Sequence, residues 1–278
     1  MTGDGASPDS GAVDAHVHLW DLDRVELSWF RPGLGLPRAA NVRDLAEASR
    51  AATTPAGPVS AVVAVQAADT REEARWLAGL SDPLLAGVVL QYEPGDPSGA
   101  AQSAVGARVR GVRVAVPDRR ADLADVPGLD ALCERVAAAA GVVEFLVRTE
   151  QLPAVAAVAA RHPATRIVVC HLGLGAAEPG SGWEGGLRAV AAHPSVAAKA
   201  SGLIGERDPD DGRLRRALAV AVDAFGAHRL LFGSDWPMSA RVAPYAEVVA
   251  RTAAALPALG SGGASAFWGG TARALYRL

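Results

Sequence analysis

Ala12-Val13-Asp14-Ala15-His16-Val17-His18-Leu19 is an apolar run of strand length, interrupted only by one aspartate and two histidines. Similar runs recur at Ser60 to Gln66, Leu85 to Gln91, Val109 to Val116, Gly141 to Val147, Arg166 to Leu172, Ser195 to Ser201 and Arg229 to Trp236. Most are nearly all apolar, as parallel strands covered on both faces should be; a strand with one wet face would alternate. The segments between them are alanine-rich and helical in character. Asn41 is placed to cap one helix, with Asp44 and Glu47 in its early turns, and Asp69 or Thr70 to cap the next, ahead of Glu72 and Glu73. Asp208 to Asp211 precedes Leu214 to Phe225, in which Leu214, Leu218, Ala221 and Phe225 share one helical face. Gly106, Gly141 and Gly226 sit where helices should stop.

Eight strands alternating with helices predict an α/β fold, a closed (β/α)8 TIM-type barrel, for which about 250 residues is typical. The 278 residues suit it. An open doubly wound sheet is the other arrangement, but no Gly-rich dinucleotide fingerprint follows the first strand and there is no phosphate loop with its lysine. Ser265 to Arg277 reads as an extra C-terminal helix able to close one end, and Ala52 to Pro58 and Gly260 to Gly263 read as loops. Without a linker to split it, 12–278 is expected to be a single domain behind a small, polar, acidic tail, 1–11, expected to be disordered.

Composition narrows the function classes. With 50% hydrophobic and 21% charged residues, the chain can build a core and is neither disordered nor fibrous. A net charge of -3 gives no electrostatic footprint for nucleic acid, and no apolar run is long enough to cross a bilayer. The start lacks the basic and apolar segments of a secretion signal. Cys133 and Cys170 alone supply neither a disulfide framework nor a cysteine zinc cluster. The expectation is a cytoplasmic protein acting on a small molecule, without nucleic acid or membrane partners; a homo-oligomer stays open.

In a barrel, catalytic side chains come from the C-terminal ends of the strands, where the loops form a cavity. The first strand ends in His16 and His18, whose spacing of two puts both side chains on one face. The sixth ends in His171 and the eighth in Asp235. A single histidine at a strand end is ordinarily a satisfied structural residue. Two imidazoles buried on one interior face without partners are costly, and a third imidazole with a carboxylate at the same mouth points to function. That set suits one divalent metal such as zinc. It equally suits metal-free work, with imidazoles polarising a carbonyl and the carboxylate activating water.

Other polar residues fall near the same mouth. Arg113, near the end of the fourth strand, offers a guanidinium to a substrate carboxylate or ring oxygen, or to a neighbouring loop acid. Lys199 is unusual inside a strand, and a buried pair with an acid is its simplest explanation. Glu144 in the fifth strand is a candidate partner or a polar interior group; both roles stay open. Gln66 ends the second strand and could hydrogen-bond a hydroxyl, and Arg148 begins the loop after the fifth. Trp20, Trp29 and Trp236 cluster around the proposed mouth. Cys170 precedes His171 and is expected to face the helices as core.

These residues resemble the amidohydrolase-2 branch of the amidohydrolase superfamily, and within it the lactonase group of sugar-lactone and 2-pyrone-4,6-dicarboxylate hydrolases. The likeness is carried by Val13-Asp14-Ala15-His16-Val17-His18-Leu19-Trp20-Asp21, Ser28-Trp29-Phe30, Gly111-Val112-Arg113, His171-Leu172-Gly173, Lys199-Ala200-Ser201-Gly202-Leu203 and Leu231-Phe232-Gly233-Ser234-Asp235-Trp236-Pro237. Weaker matches are Val65-Gln66-Ala67 and Thr271-Ala272-Arg273-Ala274-Leu275-Tyr276. The resemblance implies a (β/α)8 fold with the site at the C-terminal mouth, and His16, His18 and His171 at the scissile carbonyl. It implies Asp235 as the group that activates water and later delivers a proton. The lactonase group lacks the bridging carboxylated lysine of two-metal relatives, and here the fourth strand likewise offers Arg113 and no lysine. Such lactonases can work without metal, while some relatives hold one divalent ion. The chain departs from the group at Cys170-His171-Leu172-Gly173-Leu174-Gly175, at Val114 and at Thr271, where Asp-His-Leu-Gly-Lys-Pro, His and Asn are common. Those positions flank the pocket, so they bear on the substrate more than on the chemistry.

The expectation is therefore hydrolysis of a sugar lactone or related small cyclic ester. No cofactor is required, or one divalent ion, zinc foremost, sits on His16, His18, His171 and Asp235. Arg113, Gln66, Trp20, Trp236 and Arg148 would hold the substrate. The alternative is a zinc-dependent decarboxylase of an unsaturated or aromatic acid on the same scaffold. A barrel that only binds a ligand has no need of this combination.

Overall fold

The computed structural model describes residues 11–93, 108–175, 178–205 and 210–278. The expected tail up to residue 10, the helix stop at Gly106 and Asp208 lie outside the described residues. Eight parallel strands pair in chain order: β1 Ala12–Val17, β2 Val59–Val65, β3 Leu85–Gln91, β4 Val109–Ala115, β5 Val142–Leu146, β6 Arg166–Val169, β7 Val196–Ala200 and β8 Leu230–Phe232. The two ends of this sheet meet. The amide of His18 donates to the Trp236 carbonyl (2.7 Å), and that of Asp235 to the His16 carbonyl (2.8 Å). The result is a (β/α)8 barrel. Among the described residues, no helix is long and apolar enough to cross a membrane.

The strands bury both faces, as their apolar character requires. Val62, Ala64, Val112, Val114, Val143 and Phe145 pack with helical residues such as Leu45, Leu77, Leu132 and Leu218 in an outer layer. Val13, Ala15, Ala61, Val63, Val142 and Leu231 form a separate cluster inside the barrel. β1 departs from strict alternation. Asp14 pairs with Val62 and Val17 with Ala64, so β1 carries one residue more than β2 over that stretch. Such a bulge re-aims the side chains beyond it.

The helices are α1 Val42–Ser49, α2 Arg71–Gly79, α3 Leu129–Ala138, α4 Leu152–Arg161, α5 Ser181–Ala191, α6 Gly212–Phe225 and α7 Tyr245–Ala255. Asn41 caps α1 in a capping box, accepting from the amides of Arg43 and Asp44 while the Asp44 side chain accepts from the Asn41 amide. Thr70, not Asp69, caps α2. Leu214, Leu218, Ala221 and Phe225 are all buried on α6, which stops at Gly226.

One local expectation is refined and one is corrected. Gly141 follows α3, but the left-handed position falls one residue earlier, on Ala140 at φ 54°. The amide of Gly141 closes back on the Val136 carbonyl and that of Ala140 on the Ala137 carbonyl, a Schellman closure. The stretch Gly260 to Gly263 is not a loop. It belongs to α8, Gly260–Ser265, which runs through a π turn at Ala266–Gly270 into α9, Thr271–Tyr276. Glycine is a poor helix former, but a side chain at Gly263 would stand 3.2 Å from the Ala227 Cβ, so close packing outweighs propensity. Ala272 and Tyr276 of α9 join the interior cluster beside Val13 and Ala61, and so plug the N-terminal end of the barrel.

Ala140 bears a left-handed conformation that disfavours a Cβ. Ala140→Gly should raise unfolding free energy by about 1 kcal/mol, seen as a higher urea midpoint at unchanged slope. A lowered midpoint would show that the methyl makes packing contacts worth more than the strain.

Candidate active site

The barrel seam places four side chains together at the C-terminal mouth. His16 and His18 come from the end of β1, His171 from the turn after β6, and Asp235 from the turn after β8. The Nε2 atoms of His16 and His18 each lie 3.6 Å from Oδ1 of Asp235. The His16 ring centroid is 5.0 Å from that of His18 and 4.6 Å from that of His171. His18 Nδ1 lies 2.8 Å from the Val65 carbonyl, and His171 Nδ1 is 2.9 Å from Oγ of Ser201. His171, Leu172 and Asp235 all have positive φ, between 52° and 60°. Non-glycine residues held there are strained, and such strain gathers at sites that need a side chain aimed against the run of the chain.

Two glycines make room for this cluster. At Gly233 an added Cβ would stand 2.6 Å from the His16 Cβ. Gly202, at φ +59°, would bring one to 2.7 Å from His171 Nδ1 and 3.2 Å from Asp235 Oδ2.

Burial and neighbours set the charges. Burial, with the positive charge of Lys199 next in weight, holds His16 well below the ordinary histidine value of 6.5. Burial likewise lowers His171. Burial pushes the Asp235 pKa up, but His171, His18 and the Arg113 guanidinium outweigh it and hold that pKa below the ordinary carboxylate range. The site is thus an ionised carboxylate set against neutral imidazoles at His16 and His171. A cavity of about 610 Å³ opens beside it, with Ser201, Gly202, Asp235, Met238 and Arg241 in its wall.

The Amidohydro_2 family, described as amidohydrolase, matches residues 13–278. The chain belongs to the amidohydrolase family. It is 33% identical over 288 aligned residues to an L-fucono-1,5-lactonase of Burkholderia multivorans, covering 96% of each chain. To an L-fucono-1,5-lactonase of Burkholderia ambifaria it is 32% identical over 241 residues, covering 82% of this chain and 80% of that one. A crystal structure of an amidohydrolase from Burkholderia multivorans with bound zinc superposes at a TM-score of 0.81 with 33% identity, covering 96% of this chain and 99% of that one.

The remaining candidates of this amidohydrolase divide. Arg113 is buried inside the barrel, its Nη2 donating to the Gln66 carbonyl (2.6 Å) and its Nε to Oε1 of Gln91 (3.2 Å). Among the described residues no acid pairs with it. Lys199 and Glu144 form a buried ion pair, Nζ to both carboxylate oxygens at 2.7 Å. The Gln66 side chain is not turned to the mouth: its amide donates to the Thr70 carbonyl and to Glu73, and accepts from the Gln91 amide. Trp20 is fully buried, donating to the Pro37 carbonyl and meeting Trp29 edge-on. It pairs with Ala40 in a short antiparallel ladder. Trp236 is buried at the seam. Arg148 is half-exposed and pairs with Glu150 at 2.8 Å and Asp118 at 3.7 Å.

Cys170 is a correction. It points into the barrel, with Sγ 3.3 Å from Glu144 Oε2, not toward the helices. β6 ends at Val169 and the left-handed turn at His171 breaks the alternation on which the expectation rested. Burial pushes its thiol far up, so it stays protonated and unreactive.

Asp14 is the residue that the sequence reading passed over. It is fully buried and accepts from the amides of His16 (3.1 Å) and Ser234 (2.9 Å) and from the Tyr245 hydroxyl (2.8 Å). It therefore ties both halves of the site together. The signal was an aspartate two residues before His16 in an otherwise apolar strand.

The donor set fits one divalent ion. Ring nitrogens of His16 and His171 and a carboxylate oxygen of Asp235 lie within 4.8 Å of one another. His18 Nε2 faces the same carboxylate, and His16 Nε2 is buried without a hydrogen-bond partner. Imidazoles with a carboxylate suit zinc. A second grouping of His16, Glu144 and Cys170 does not fit, because Glu144 is already paired with Lys199 and the thiol is protonated.

The lowered histidines make stability depend on pH. In the unfolded chain both titrate near 6.5 and in the folded chain below it, so between those values the unfolded chain binds more protons. The melting temperature should fall as pH drops from about 7 to about 5.5, and fall less steeply in His16→Gln. An equal slope in the two proteins would show that His16 is protonated inside the fold.

Proposed function

We propose that this amidohydrolase hydrolyses a small lactone, with a sugar 1,5-lactone as the first compound to test. The observation that carries the reading is the Asp235 carboxylate set 3.6 Å from the Nε2 atoms of both His16 and His18 at the edge of a cavity. The relatives named L-fucono-1,5-lactonase, which align along most of their length, support the same chemistry.

Asp235 takes a proton from a water molecule as the water oxygen bonds to the lactone carbonyl carbon. The carbonyl π bond breaks and its electron pair becomes an oxyanion, which imidazole N–H groups of the site stabilise. The oxyanion collapses, the bond from the acyl carbon to the ring oxygen breaks, and Asp235 returns its proton to that oxygen. The product is a hydroxy acid. The Nε and Nη2 of Arg113 are committed to Gln91 and Gln66, and its Nη1 is the donor it would offer to a substrate oxygen. A divalent ion held by His16, His18, His171 and Asp235 would supply Lewis-acid polarisation of the same carbonyl. Met238 and Arg241 line the same cavity and would meet the substrate ring there.

Purified protein should acidify a weakly buffered solution of L-fucono-1,5-lactone faster than spontaneous hydrolysis. Asp235→Asn should fold and lose about a thousandfold in kcat, about 4 kcal/mol of barrier. Activity within about tenfold of wild type, about 1.4 kcal/mol, would remove Asp235 as the base. Release of carbon dioxide from an aromatic acid, with no lactone turned over, would replace hydrolysis by decarboxylation.

Gly202→Ala offers a test that leaves every polar group in place. The added methyl meets His171 Nδ1 and the Asp235 carboxylate. Turnover should fall by at least about a hundredfold while circular dichroism stays that of a folded barrel. Near-normal turnover would show that the His171–Asp235 spacing is not needed for the reaction.

A further inference from the structure

A buried chain of polar groups runs below the site. The Tyr276 hydroxyl of α9 donates to Glu144 Oε1 at 2.5 Å. Lys199 Nζ lies 2.7 Å from each Glu144 oxygen and 3.4 Å from Nδ1 of His16. His16, Glu144 and Lys199 are fully inaccessible to solvent. An ammonium group has three protons and no lone pair, so it only donates. With the carboxylate taking two of those protons, the third is directed at His16 Nδ1. That nitrogen must then be the unprotonated one, and the single proton of a neutral ring sits on Nε2. Nε2 is the atom that faces Asp235 Oδ1 at 3.6 Å and has no hydrogen-bond partner of its own.

His18 is arranged the other way round. Its Nδ1 lies 2.8 Å from the Val65 carbonyl, which can only accept, so Nδ1 carries the proton. The Nε2 of a neutral His18 ring then presents a lone pair to the site. Two histidines on one strand are thereby fixed in opposite tautomers.

We infer that Lys199 is a positioning residue that holds His16 in its Nε2–H tautomer, making it a standing hydrogen-bond donor toward the reacting carbonyl and opposing a metal ion at that nitrogen. Imidazole ligates a metal through a lone pair. Coordination at His16 Nε2 would require its proton to move to Nδ1, where the Lys199 ammonium already donates. Lys199 therefore sets the balance between a metal-free site and one with His16 among the ligands. The consequence for turnover rests on the lactonase reading, whereas the tautomer does not.

The test uses protein labelled with ¹⁵N-histidine. Long-range ¹H–¹⁵N correlation spectra report the tautomer of each ring, and the His16 signals are those missing in His16→Gln. Wild-type His16 should show a protonated Nε2 and an unprotonated Nδ1. The double variant Glu144→Gln/Lys199→Met removes both buried charges together and keeps similar side-chain volumes. In it His16 should populate both tautomers, zinc measured by competition with a chromophoric chelator should bind at least about tenfold more tightly, and kcat on the lactone should fall with KM little changed. A protonated Nδ1 on wild-type His16, or unchanged zinc affinity in a folded double variant, overturns the inference. If the double variant does not fold, the wild-type spectrum decides alone. Wild-type protein that opens no lactone would remove the proposed function and leave the tautomer result standing.

Discussion

The joint between β1 and β8 is the constraint on which the rest of the molecule depends. Barrel closure could be made by any two terminal strands; here the backbone bonds that close it are those of His16, His18, Asp235 and Trp236. The hydrogen bonds that finish the fold therefore set the spacing of the groups proposed to do the chemistry. Asp14 reinforces the joint from the outer layer, where one carboxylate receives the amides of both strands' ends and a hydroxyl from α7. A carboxylate without water is costly, and burial does raise the pKa of Asp14. Its donors offset that cost and convert it into alignment.

The interior is layered by polarity. At the N-terminal end, valines and alanines of the strands meet Ala272 and Tyr276. Above them lies the Lys199–Glu144 pair, and above that the imidazoles and Asp235. A buried ion pair contributes little net stability against an apolar pair of the same shape, so its presence here is better understood through what it touches. It faces the His16 ring on one side and the plugging helix on the other.

Much of this was legible in the chain and some was not, for identifiable reasons. The strands show because doubly covered parallel strands are continuous apolar runs, and Asn41 shows because only a few side chains can cap a helix. His16, His18, His171 and Asp235 show because polar groups at the ends of such runs need an explanation. What stayed hidden depends on long-range geometry. The bulge in β1 places Asp14 and His16 on different sides of the sheet despite their even spacing. Cys170 continues the alternation inward from Val168, and the left-handed turn at His171 brings that ring to the site beside it. The helix at Gly260–Ser265 brings Gly263 close to Ala227, a contact that no local propensity reveals. Gln66 and Trp20 stand at or just beyond strand ends, but hydrogen bonds to Glu73 and to the Pro37 carbonyl hold their side chains.

The partners that hold the site are far apart along the polypeptide. Asp14 and Ser234 are separated by 220 positions, His16 and Lys199 by 183, and Glu144 and Tyr276 by 132. Contacts of such high order form only after large loops have been closed, which slows folding and concentrates these unions near its end. Partly assembled barrels would hold most of their helices and strands yet have no working centre. Catalytic turnover is consequently a stricter gauge of native assembly in this protein than any spectroscopic signal of secondary structure.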